Sequence, residues 1–146
     1  MSRGATLLEL LTVLAIIGVL AGIVVPGSAA LADRLAVEHQ ASRLLVAYRS
    51  AWVAARMQQR LAIVRISADT LAIRTVRGAG DPDTVLAWSA PGPSVAGVSL
   101  TSPAHTSVFG PDGLAMGVAN ATHVLVKGSA SRRVVISRLG RVRILP

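Results

Sequence analysis

The spacing of apolar positions divides the chain into three stretches with different periods. Residues 5–25 are apolar except at Thr6, Glu9, Thr12 and two glycines, Gly18 and Gly22. As a helix, a run of this length measures roughly 30 Å, about the hydrocarbon thickness of a bilayer. From Ser28, which is placed to cap a new helical stretch, to about Arg60 the pattern becomes that of an amphipathic helix. Val37, Ala41, Leu44, Tyr48, Ala51 and Ala55 recur at alternating spacings of four and three, with Leu45 and Trp52 beside them. This stripe is expected to cover the protein's own sheet, with Arg49, Arg56 and Arg60 on another face. Pro26-Gly27 stands between the two helical stretches and predicts a kink or local melting there, because proline lacks a donor and clashes with the preceding turn.

After Arg60 the period shortens to that of strands. Strands are predicted over 61–66 and 70–76, joined by a turn at 67–69, and then over 84–88, 98–100, 123–126, 133–136 and 141–145. Turns are predicted at 78–83, 91–93 and 109–113, where glycine, proline and aspartate cluster. The last strand alternates polar and apolar residues as an edge strand does. One long helix followed by many short strands predicts an α+β domain with antiparallel sheets.

Glu9 breaks the logic of the first stretch. A carboxylate at that depth costs roughly 3 kcal/mol even on a lenient insertion scale, so it calls for a cationic partner. An ordinary single-pass anchor and a secretory signal peptide cut near Ala30-Leu31-Ala32 are the other readings of the segment. The leader is too short, and the apolar run too long, for the signal peptide.

The short basic leader Met1-Ser2-Arg3-Gly4, the Thr6-Leu7-Leu8-Glu9-Leu10 segment and Pro26 at the end of the run resemble the amino-terminal signature of type IV pilins and type II secretion pseudopilins. The resemblance implies that a prepilin peptidase cuts after Gly4 and that the new amino terminus, Ala5, is methylated. It also implies that Glu9 pairs with the amino terminus of a neighbouring subunit during assembly and that Pro26 occupies its usual place. Ala5 stands where the family usually has Phe. The implied organisation is a leader (1–4), a transmembrane and filament-core helix (5–26), an amphipathic helix (27–60) and a β-rich globular domain (61–146). Other pilins or pseudopilins, the peptidase and the bacterial inner membrane are the implied partners.

Composition fits this division. Outside residues 1–27 there are 119 residues, enough for one modest core. There is no cysteine, which excludes disulfides and thiolate zinc sites. A short basic amino terminus stays in the cytoplasm, so the globular part is expected on the far side of the membrane, in the periplasm or, in a Gram-positive cell, outside the membrane.

Charge adds a second candidate feature. Fifteen Lys and Arg stand against seven Asp and Glu, and no acid follows Asp112. Lys127, Arg132, Arg133, Arg138, Arg141 and Arg143 form a basic tail that attracts anions. Solvated arginines guarding strand edges are the plainer reading. The Phe109-x-Pro111-x-Gly113 turn, Val134-Val135-Ile136-Ser137 and Gly140-Arg141-Val142-Arg143 are together similar to the GspH/FimT group of pseudopilins and minor pilins. In the FimT branch the Gly-Arg-x-Arg element is associated with DNA binding in natural transformation. The GspH branch serves a secretion pseudopilus. Gly140 permits a tight turn, and Arg141 and Arg143 are expected on one face of a strand, a spacing that suits successive phosphates. Arg132, Arg133 and Arg138 complete the candidate DNA-binding set. No aromatic residue lies in the tail, so sequence-selective binding by base stacking is not expected.

No enzymatic constellation is evident. His39, His105 and His123 lack metal-ligand spacing, and Asp81-Pro82-Asp83 lacks the acid pattern of a calcium loop. No Gly-x-Ser-x-Gly element frames a nucleophile. Neither a catalytic residue, a metal nor a cofactor is expected.

Overall fold

The computed structural model describes residues 6–76, 84–102, 105–116 and 120–146, without the side chains of residues 23–27. A single helix α1, Leu7–Gln58, comes first. Among the described residues nine strands follow: β1 Leu61–Ile66, β2 Thr70–Val76, β3 Thr84–Pro91, β4 Ser99–Thr101, β5 Thr106–Phe109, β6 Ala115–Met116, β7 Ala121–Lys127, β8 Ala130–Ile136 and β9 Val142–Leu145. They form two antiparallel sheets, ordered β3-β2-β1-β5-β6 and β4-β7-β8-β9. This is the expected α+β architecture of a long helix on antiparallel sheets.

Thr6 caps α1, its hydroxyl accepting the Glu9 N–H at 3.3 Å. The helix stops where Gln59 turns left-handed (φ 51°) and the N–H groups of Gln59 and Arg60 both reach the Ala55 carbonyl. Of the kink or local melting predicted at Pro26-Gly27, the melting does not occur: the helix runs through both residues. Proline removes only its own donor, and the hydrogen bonds of neighbouring turns carry the helix across. The two halves differ in surroundings instead. Residues 6–22 are exposed throughout, including Leu7, Leu11, Leu14 and Ile17, whereas every member of the Val37-to-Ala55 stripe is at most 1% exposed.

That stripe lies across both sheets. Ala62, Val64 and Ile66 of β1 stand opposite Thr75, Ile73 and Leu71 of β2, and all six are buried. Leu125 of β7, Val134 and Ile136 of β8, and the half-buried Val142 and Ile144 of β9 close the core from the second sheet. The strands over 61–66 and 70–76 match their predicted bounds. β5 and β6 were not foreseen; the predicted 109–113 turn is the hairpin between them. Its ends are joined by Gly110 N–H to the Leu114 carbonyl at 2.9 Å, and Asp112 Oδ1 accepts the Leu114 N–H at 3.0 Å. The predicted 78–83 turn, with Asp81-Pro82-Asp83, lies outside the described residues.

Tyr48 joins the three layers. Its ring meets Phe109 of β5 edge-on, at 6.1 Å and 83°, and stacks on His123 of β7 at 5.7 Å and 27°. Its hydroxyl lies 2.7 Å from His123 Nε2 and 3.2 Å from Ser107 Oγ, and His123 Nδ1 lies 2.8 Å from Ser102 Oγ. Among the described residues no buried side-chain polar atom is left unsatisfied, so this cluster meets the cost of burying a histidine. Burial, reinforced by His105, pushes the His123 imidazole down to about 4, and burial raises the Tyr48 hydroxyl to about 12 despite the Ser107 hydrogen bond.

A histidine depressed in the folded state favours folding fully above its unfolded pKa near 6.5, and that contribution falls as the pH drops towards 4. The loss is on the order of 3 kcal/mol. Denaturant unfolding at pH 7, 5.5 and 4 should show this decline in the wild-type chain and a shallower one in His123→Gln. Equal slopes in the two chains would rule out His123 as the source.

Candidate functional site

The basic tail folds back against α1 through one turn between β8 and β9. Ser137 N–H reaches the Arg141 carbonyl at 2.9 Å, Gly140 N–H reaches the Ser137 carbonyl at 2.9 Å, and Ser137 Oγ accepts the Arg141 N–H at 3.2 Å. Gly140 is required twice over. Its φ is +72°, and a Cβ there would stand 2.6 Å from Trp52 Cδ1 and 3.0 Å from the Gly113 carbonyl. Trp52 Nε1 donates to that same carbonyl at 3.0 Å, and the Arg56 guanidinium lies 4.9 Å from the Trp52 ring centroid. Ala115 N–H donates to the Arg138 carbonyl at 2.9 Å, which ties β6 of one sheet to the β8–β9 turn of the other. The indole edge is therefore pinned between two glycine turns. The tail has no aromatic residue of its own, but the fold sets Trp52 against it.

Arg141 immediately precedes β9 and Arg143 lies within it; both are exposed and line the same two clefts. The first, about 510 Å³, lies between α1 and β9 and is walled by Trp52, Val53, Leu139 and Val142, with Arg49 on the helix side. The second, about 420 Å³, is bounded by Val135, Ser137, Leu139 and Leu145. Neither cleft has an acidic residue in its lining. Arg49 belonged to a helix face in the sequence and not to the candidate site. Its only sequence signal is its place three and four residues before Trp52 and Val53, which puts all three on one side of the helix.

The other tail cations go elsewhere. Arg132 Nε meets Glu38 of α1 at 2.7 Å, and Arg133 Nε donates to the Pro146 carbonyl at 3.0 Å. Lys127 Nζ lies 3.6 Å from Asp33 and donates to the Ala96 carbonyl at 3.0 Å. Arg138 is exposed in the turn. The tail is thus partly neutralised despite having no acid of its own, because α1 crosses the second sheet and supplies two. Exposed pairs of this kind contribute about 0–1 kcal/mol each to stability, but they do change which cations face outward.

At the other end of the chain, Glu9 occupies the first turn of α1, where a carboxylate is favoured by the helix N-terminus. It is exposed, among exposed leucines. Gly4 and Ala5 lie outside the described residues, as does the side chain of Pro26. A Cβ placed on Gly18 or Gly22 would meet nothing within 4 Å, so this face of the helix is open. Among the described residues no helical stretch is long and apolar enough to cross a membrane; the side chains of residues 23–27, which close the apolar run, are not among them.

No sequence-family model matches the chain, and no curated protein sequence does so. Its fold is similar to that of the type IV minor pilin FimU of Pseudomonas aeruginosa in two crystal forms. In the P21 form the TM-score is 0.64, at 18% identity, over 75% of this chain and 88% of FimU. In the P65 form it is 0.61, at 18% identity, over 75% of this chain and 92% of FimU. At that identity the likeness establishes the fold: a pilin-like helix packed on antiparallel sheets.

Because Gly140 combines a left-handed conformation with contact against Trp52, Gly140→Ala should destabilise the domain by about 1–3 kcal/mol. Thermal unfolding followed by circular dichroism measures it. A variant with an unchanged midpoint would show that the turn does not depend on this packing.

Proposed function

We propose that this chain is a minor pilin or pseudopilin, a structural subunit of a type IV pilus or a type II secretion pseudopilus. One observation carries the reading. α1 is continuous, yet its apolar residues 7–22 are exposed while the stripe from Val37 to Ala55 is covered by two sheets, in a fold like that of a type IV minor pilin. A monomer gains nothing from more than two turns of exposed leucine and isoleucine; such a surface is explained by lipid before assembly and by neighbouring helices after it.

In this reading the prepilin peptidase removes residues 1–4, Ala5 becomes the methylated amino terminus, and Glu9 meets the amino terminus of a neighbour. Before assembly the subunit sits in the inner membrane with its globular domain in the periplasm. The role is structural, with no catalytic residue, metal or cofactor. Glu9 also serves its own helix N-terminus, so its loss affects both the helix and assembly.

A second reading, a DNA-binding minor pilin acting in DNA uptake, is favoured by one feature: Arg141 and Arg143 stand exposed side by side in concave surfaces that no acid lines. On this reading the tail holds phosphates without reading bases.

Two experiments test these readings. Intact-mass measurement after expression with a prepilin peptidase should give a chain that begins at Ala5; a product that retains Met1 or begins at Asp33 would exclude the pilin reading. Glu9→Val should leave that processing intact but reduce co-purification with partner pilins, and undiminished co-purification would remove Glu9 from assembly. For the second reading, Arg141→Ala combined with Arg143→Ala in the detergent-solubilised full chain should weaken binding to duplex DNA. The slope of log affinity against log salt should fall by roughly 1.8. Unchanged binding in the double variant would remove the tail motif from the mechanism.

A further inference from the structure

We infer that the cleft between α1 and β9 is a phosphate-binding site with three guanidinium groups, and that the helix supplies the third through Arg49. The inference rests on the DNA-binding reading of the tail and adds to it a residue that no tail motif contains.

Arg49 lines the same cleft of about 510 Å³ as Arg141 and Arg143, beside the apolar walls formed by Trp52, Val53, Leu139 and Val142. The two sides of the cleft come from distant parts of the chain and are held in fixed relation. Trp52, one turn along the helix from Arg49, is bonded to the Gly113 carbonyl and packed against Gly140, which immediately precedes Arg141. Arg49 is therefore carried by the same helical turn that seats the tail. No acid in the lining offsets the three cations, so their fields add within the cleft. Each guanidinium offers a planar fork that matches phosphate oxygens. A single carboxylate would leave at least one of the three unused, whereas successive phosphates of a nucleic-acid backbone engage all of them. Arg132 and Arg133, by contrast, already have partners elsewhere.

The test uses the full chain in non-ionic detergent, with Trp88→Phe so that Trp52 is the one remaining tryptophan. Two probes are titrated: a mixed-sequence duplex oligonucleotide followed by anisotropy, and inorganic pyrophosphate followed by Trp52 fluorescence. Arg49→Gln should weaken duplex binding about five- to tenfold at 0.1 M salt and lower the salt slope by roughly 0.9, the share of one phosphate contact on duplex DNA. It should also reduce the pyrophosphate response. Arg65→Gln, which removes the same charge from an exposed position on β1, should leave both unchanged. If Arg141→Ala with Arg143→Ala weakens duplex binding but Arg49→Gln does not, the DNA reading stands and the three-cation site is overturned. If pyrophosphate binds in an Arg49-dependent way while the duplex does not bind, the site stands and the DNA reading fails. Equal losses in Arg49→Gln and Arg65→Gln would mean a diffuse positive field and would also overturn the site. If neither probe binds, both fall.

Discussion

The hydrogen bond between Tyr48 and His123 is the contact on which the rest of the domain depends. Either group alone would be an expensive thing to bury. Together, with Ser102 and Ser107 completing the network, they fix one register of helix against strand. An apolar stripe can slide along a sheet by a turn at modest cost, but a bonded tyrosine cannot. The Phe109 edge contact extends the same constraint to the other sheet. At Tyr48 the helix is thus bonded to one sheet and packed edge-on against the other, and the remaining alanines and leucines of the stripe pack around a position already set.

Trp52, four residues further along, repeats the device nearer the surface. Its ring is too large to be covered by the core, so one edge is taken up by two glycine turns and one face by Arg56. The core therefore grades into the candidate site without a loose layer between them. Rigidity at the tail is inherited from the helix, which is why Arg141 and Arg143 occupy a defined cleft instead of a frayed terminus.

The parts of the fold legible in the sequence were those encoded locally. The stripe from Val37 to Ala55 and the strands over 61–66 and 70–76 follow from periods of 3.6 and 2, and no distant residue is needed to read them. β5 and β6 were missed because they are short and exist only by pairing with β1 and with each other. His123 looked like one of three scattered histidines, because its partner lies 75 residues earlier. The same limit governed the candidate site. The Gly140-Arg141-Val142-Arg143 segment was legible, whereas Arg49 and Trp52 join it only through tertiary packing. The acids that neutralise Arg132 and Lys127 sit on a helix that the tail's own sequence says nothing about. At Pro26 the melting half of a local rule lost to the cooperative bonding of the turns around it.

The unbroken helix also has a mechanical consequence. Residues 37–55 are gripped by both sheets, and no break in the helix separates them from the apolar half, so the globular part is joined to it through helical backbone alone. Torque on the apolar half is delivered to the cleft like rotation through a drive shaft. Its phase is set by residue count, at about 100° and 1.5 Å per residue in an ideal α-helix. One residue inserted between the halves would swing the cleft through more than a quarter turn, whereas seven would return it to within about 20° of its starting direction. The length of the linker between the halves is thereby an angular coordinate, and it sets which way the three arginines face around the axis.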